Sequence, residues 1–212
     1  MSLASMGRRR WLQLALATAA TVLMLPSAKA EPAAVTPIRD LCDSLLGIMR
    51  AGRTTPFAQR YEKLAPAVER AFDLQAILQL SVGTAWPSLP ADQQSALLAA
   101  FRRYTIANYV NSFDNYNGQR FDIQPDTRSL QNGEQVAQTR IISSAGESHA
   151  LDYVMRQAGS SWKAVDVLAD GSISRVAVQR SDFRRLVSRG GAQALIDSLK
   201  QKTSDLSGGA MS

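Results

Sequence analysis

The chain has 212 residues, 45% of them apolar and 20% charged, and 24 basic residues against 18 acidic ones give a net charge of +6. That is enough chain for one domain with a proper core, and the composition excludes a low-complexity or disordered protein. A single cysteine, Cys42, and a single histidine, His149, exclude an intrachain disulfide and any metal site built on two histidines.

Residues 1–30 stand apart from the rest. Arg8, Arg9 and Arg10 precede an apolar run over 12–25, softened only by Gln13, Thr18 and Thr21. That run is shorter than the roughly 20 residues that span a bilayer. Ala28-Lys29-Ala30 then supplies a small-x-small pattern. This is the layout of a cleavable signal peptide, cut after Ala30, and it predicts an exported domain. The paired arginines leave both the general and the twin-arginine export routes open. Removing Arg8, Arg9, Arg10 and Lys29 leaves 20 basic residues against 18 acidic, a net +2. The basic character therefore belongs largely to the leader, which argues against nucleic-acid binding. It leaves room for a weak attraction to anionic membrane surfaces.

The exported part opens with helices. Val35, Ile38, Leu41, Leu45, Ile48 and Met49 recur at three- and four-residue spacing around the start signal Thr36-Pro37, and Gly52 ends that helix. Cys42 sits among Leu41, Leu45 and Leu46, which predicts a buried thiol. A second helix begins at Thr55-Pro56 and carries Phe57, Tyr61, Leu64, Val68 and Phe72, with Pro66 predicting a kink or break. A short apolar helix covers Leu74–Val82. Residues 88–92 form a stop and restart, and the helix expected over 92–116 ends before Asn117-Gly118.

The hydrophobic period then becomes two. Strands are predicted from Phe121, over 135–143, over 149–157 and over 162–168, with turns at Asn132-Gly133, Ala145-Gly146 and Gly159-Ser160. Leu151, Tyr153 and Met155 face one way and Asp152 and Arg156 the other, so the antiparallel sheet has one covered and one wet face. An extended stretch over 173–179 follows, then helices over 182–188 and 192–202, and a Ser/Gly tail over 207–212 expected to be disordered. Helices, a meander and more helices make an α+β domain over 31–206.

Asp166 and Asp170 are the best-placed carboxylates for acid–base chemistry, but no partner group accompanies them. Asp170-Gly171-Ser172 reads better as a turn in which a side chain bonds to backbone. An enzyme using these two aspartates, or an adaptor with a solid core, are the alternatives to a binding protein. The arginine pairs at 102–103 and 184–185 read most simply as solvated helix faces.

Two stretches resemble a known family. One runs from Leu89-Pro90-Ala91-Asp92-Gln93-Gln94 through Phe101, Tyr104 and Tyr109 to Tyr116-Asn117-Gly118-Gln119. The other is Trp162-Lys163-Ala164-Val165-Asp166-Val167-Leu168-Ala169-Asp170-Gly171-Ser172-Ile173, followed by Arg180-Ser181-Asp182-Phe183 and Gly190-Gly191. Together they are similar to the MlaC family, also called toluene-tolerance proteins, over residues 35–206. The wording of 173–183 is nearer to the hopanoid-associated HpnM branch. The resemblance implies a periplasmic carrier of phospholipid or hopanoid without catalytic site, metal or cofactor. It also implies partners: an inner-membrane ABC lipid transporter and an outer-membrane lipoprotein complex.

Such a carrier answers a physical need. Exposing one methylene to water costs about 0.8 kcal/mol, so a two-chain lipid faces a desorption barrier of roughly 20 kcal/mol. A dry pocket on the order of 1,000 Å³ is the size expected to relieve it. Alternation and helix spacing put Ile141, Leu151, Tyr153, Met155, Val165 and Val167 on its sheet wall, and Ile77, Phe101, Tyr104 and Phe113 on its helical wall. The headgroup is expected at the mouth, with little specific recognition.

Overall fold

Thr36 and Pro37 open the first helix with a residue whose missing N–H costs nothing in the first turn. In the computed structural model, which describes residues 31–211, that helix is α1 (Thr36–Ala51). It buries Ile38, Leu41, Cys42, Leu45 and Ile48 along one face, as the spacing predicts. Gly52 stops it at φ +61°, a backbone angle that glycine reaches without Cβ strain. The predicted signal peptide lies outside the described residues.

Helix α2 (Phe57–Ala71) runs through Pro66 as one element. The break expected there does not occur. Proline removes one bond, to the carbonyl of Glu62, and Glu62 and Pro66 are both exposed, so water can take the freed acceptor. The flanking Leu64, Ala65, Ala67 and Val68 are buried and hold the helix together from its other side. Helix α3 (Leu74–Val82) follows, with Asp73 as its N-cap accepting from Ala76 N at 2.9 Å. A 3₁₀ turn over Gly83–Ser88 leads to α4 (Ala91–Ser112).

Helix α4 ends before the expected Asn117-Gly118. Phe113 leaves helical geometry at φ −118°, ψ 54°. Its ring stacks on Tyr109 and meets Phe121, both at 6.0 Å. Aromatic packing in three dimensions overrides the local C-cap signal.

Five antiparallel strands form a meander in the order β1-β2-β3-β4-β5: β1 (Arg120–Ser129), β2 (Gln135–Ile142), β3 (Ser148–Ala158), β4 (Ser161–Ala169) and β5 (Ile173–Ser174). The three predicted turns fall where expected, with Gly133, Gly146 and Gly159 at positive φ. Pro125 lies on the edge strand β1, between Ile123 and Thr127 where the register shifts, so its missing donor breaks no central ladder. The face with Tyr153 and Met155 meets the helices. The opposite face is less wet than alternation predicts: the cross-strand partners Val136 and Val154 are buried there, and so is Asp152. Arg156 pairs with Glu134 at 2.6 Å beside them.

The stretch over 173–179 is extended only at Ile173–Ser174. Helix α5 (Arg175–Ser207) begins at once, because Ser174 Oγ accepts from Ala177 N and Asp166 Oδ1 accepts from Val176 N. Gly190 and Gly191 depart from helical φ/ψ and divide α5 into segments over 175–189 and 192–207; the break falls between the two helices expected over 182–188 and 192–202, but the first starts seven residues early and the second runs five residues longer. Residues 207–211, expected to be disordered, are held in place. Met211 packs on the core, its N–H bonds Ser207 Oγ, and its carbonyl accepts from Arg103 Nη2.

Candidate functional site

At the junction of α2 and α3 the backbone turns against the sheet. Asp73 N–H bonds the Ala164 carbonyl at 2.9 Å, and Lys163 Nζ donates to the Glu69 carbonyl at the end of α2. These contacts bring Phe72 over the inner face of the sheet, where its ring lies 6.0 Å from Tyr153 and 5.6 Å from Tyr109. Between this corner, α3, one face of α4, strands β3 and β4 and the first turns of α5 lies a cavity of about 290 Å³.

Its floor is apolar and aromatic: Phe72, Leu74, Ile77, Phe101, Tyr153 and Val176 are all buried. Ser112 and Arg175, the exposed lining residues, mark its mouth. Seven of the ten residues predicted for a lipid site line it: Ile77, Phe101, Tyr104, Phe113, Leu151, Tyr153 and Val167. Three lie elsewhere. Met155 is on the right face of β3 but fully buried opposite Ala164 in the solid core. Ile141 pairs with Phe121 and His149, beyond the cavity's end of the sheet. Val165 is the unpaired residue of a bulge, since Val154 pairs with Asp166 and Met155 with Ala164. One extra residue in a strand reverses the facing that simple alternation assigns.

The cavity is also smaller than the ~1,000 Å³ expected for a two-chain lipid. The rings of Phe72, Tyr109, Tyr153 and Phe113 pack against one another along its wall.

Polar groups are few and specific. The hydroxyls of Tyr109 and Tyr153 are hydrogen-bonded to each other, and burial pushes both upward in pKa, Tyr153 well above the usual phenol value. Tyr104 is shifted up by burial too, and Arg175 opposes the shift in Tyr104 and Tyr109, so its positive charge acts on both hydroxyls. Asp166 binds the fold rather than a ligand: Oδ1 accepts from Val167 N at 2.7 Å and Val176 N at 3.1 Å, while Oδ2 accepts from Ser174 Oγ. Asp170 sits in the turn after β4 at φ +51° and donates its N–H to the Ala150 carbonyl. Asp170 also lines a separate polar pocket on the far side of the sheet, with Asp152, Arg128 and Arg140, away from the apolar cavity.

Sequence reading missed one side of the wall. Thr105, Asn108 and Ser112 all line the cavity from α4. They recur at helical spacing, a polar stripe on a helix whose other residues, Leu97, Phe101, Ile106 and Val110, are buried. Thr105 Oγ1 is sealed from water without a hydrogen-bond partner. Arg175 makes no ion pair with any described residue. The visible signal was a long helix with polar residues at 105, 108 and 112 where a single solvated face would place them elsewhere.

Comparison with known proteins gives the chain's family and fold. The profile of the MlaC protein family matches residues 39–201. A phospholipid-binding protein from Ralstonia solanacearum, solved in complex with a phospholipid, has the same fold with a TM-score of 0.70. That chain is 20% identical, and the alignment covers 82% of this chain and 98% of the other. No curated protein matches this sequence.

Proposed function

The chain belongs to the MlaC family, and from that premise we propose that it is a soluble periplasmic lipid carrier, exported by its N-terminal leader and moving phospholipid or hopanoid-type lipid between the two membranes. The observation that carries this reading is the cavity: an aromatic and aliphatic floor closed by buried residues, opening at one rim past Ser112 and Arg175. Apolar groups on that floor replace the contacts an acyl chain loses when it leaves a bilayer. The phospholipid bound to the protein of the same fold supports the same use of the space. An inner-membrane ABC lipid transporter and an outer-membrane lipoprotein complex are the partners this reading requires, since a soluble carrier must load at one membrane and unload at the other. Catalysis is not part of it. Asp166, the one of the two candidate aspartates that lines this cavity, has its carboxylate engaged at a helix start.

The test is direct. Protein purified from its native periplasm without detergent is extracted into organic solvent, and the extract is analysed by mass spectrometry. A phospholipid or hopanoid at up to one molecule per chain is the expected result. Repeated recovery of empty protein would count against the reading.

A further inference from the structure

A cavity meant only for hydrocarbon needs no polar wall. This one has Thr105 Oγ1 buried and unpartnered, Asn108 and Ser112 on the same helical face without hydrogen bonds to described residues, and Arg175 unpaired at the rim. A buried hydroxyl without a partner is a cost that native structures keep only for a reason, commonly a ligand that completes it. The one carboxylate on the wall cannot serve Arg175, because Asp166 already accepts from Val167 N, Val176 N and Ser174 Oγ. On an α-helix the three residues rise from cavity wall to rim over about 10 Å, the length scale of a glycerol–phosphate group standing on two ester links.

The geometry points to a polar recognition track inside the mouth: Arg175 takes the phosphate of a glycerophospholipid, and Thr105, with Asn108 above it, donates to an ester carbonyl. This rests on the cavity being the lipid site, and it makes the protein selective for phosphate-bearing ester lipids over polycyclic hydrocarbons. A guanidinium beside a phosphate forms a charge-assisted bond. A hopanoid hydrocarbon offers neither acceptor and leaves every group on the track unsatisfied. The track also lies at the only exposed part of the lining, so the phosphate keeps its contact with water while the chains go down to Phe72 and Phe101.

Protein made from the full-length chain and stripped of lipid would be incubated with vesicles holding either phosphatidylglycerol, diacylglycerol with the same acyl chains, the diether analogue of phosphatidylglycerol, or a hopanoid hydrocarbon. Uptake is read by native mass spectrometry. The expected preference for phosphatidylglycerol over diacylglycerol and over hopanoid is about tenfold or more, as one charge-assisted contact gives. Arg175→Gln, at an exposed position and checked to melt like the parent, should reduce that preference to less than about threefold while diacylglycerol uptake holds. Thr105→Val, matched in shape, should weaken the diester lipid several-fold and leave the diether unchanged. Equal uptake of phosphatidylglycerol and diacylglycerol by the unaltered protein, a preference for hopanoid, or an intact preference in Arg175→Gln would overturn the track while leaving the carrier standing. Inorganic phosphate bound by the stripped protein through Arg175, together with equal uptake of phosphatidylglycerol and diacylglycerol, would assign Arg175 to a free anion and overturn it as well. Failure to take up any of the four lipids would bring down the carrier reading itself.

Discussion

Tyr153 is 1% exposed, and its hydroxyl is held by Tyr109 beneath the cavity. The pair makes the floor polar at one point without exposing that polarity to an acyl chain. Tyr153→Phe would leave the Tyr109 hydroxyl with one partner fewer and should cost about 1–2 kcal/mol of stability, measurable by urea unfolding, with lipid loading retained. Tyr153→Glu puts a carboxylate in the same dry place and should abolish loading in any molecules that remain folded, because neither hydrocarbon nor ring can solvate it. Native loading by a folded Tyr153→Glu protein would place the lipid elsewhere. Cys42 illustrates the same physics as a pH effect. Burial raises its thiol from 9.0 to about 12. The unfolded chain therefore gives up this proton first, so the thiol's contribution to stability is complete below pH 9 and is lost between pH 9 and about 12. The buried tyrosines are shifted in the same direction and add to that alkaline loss. A thiol reagent at pH 8 should leave the native protein unmodified and label it fully in denaturant.

At the scale of elements, the start of α5 is where a side chain does most for the fold. Asp166 ties β4 to the first turn of α5 through the Val176 N–H and the Ser174 hydroxyl, and also accepts from its neighbour Val167 N within β4. Asp166→Ala should lower stability by roughly 2–3 kcal/mol and loosen the wall formed by Val176 and Gln179. Equal stability of the variant and the parent by urea unfolding would show that β4 and α5 hold together without it. The same contacts explain what alternation could not reveal. Val176 and Val178 read as a strand, yet a cap at Ser174 and a carboxylate ten residues before Val176 turn the segment into helix. Most elements were legible because their signals are local: helix period, hairpin glycines and the Gly190-Gly191 break. The errors fall where distant residues decide, at Phe113 packed on Phe121, at Pro66 held by buried neighbours, and at the bulge of Val165.

At the scale of the whole molecule, the site was half legible for the same reason. Hydrophobic spacing found the aromatic floor, because burying those side chains is what folds the domain. It could not distinguish a residue lining a void from one filling the core, as Met155 shows, and it gave no cause to look for polar residues inside. The void has an energetic consequence. Core cavities cost about 24 cal/mol for each Å³, so one of about 290 Å³ carries a penalty of up to roughly 7 kcal/mol if it stays dry and empty. That is comparable to the entire net stability of a domain. A ligand that fills it recovers a share of this, and linkage sets the scale: at a hundredfold excess over its dissociation constant a ligand adds about 2.7 kcal/mol. For a domain of this size that is a rise of about 5–11 °C in Tm. Stripping lipid from purified protein should therefore lower Tm by that amount, and vesicles of phosphatidylglycerol should restore it, more completely in the parent than in Arg175→Gln. Identical melting with and without lipid would mean that the cavity is not where lipid binds. A rise that saturates at one lipid per chain, and is absent when Tyr153→Glu is melted in the same vesicles, would locate the stabilisation in this cavity rather than in general adsorption to the membrane surface.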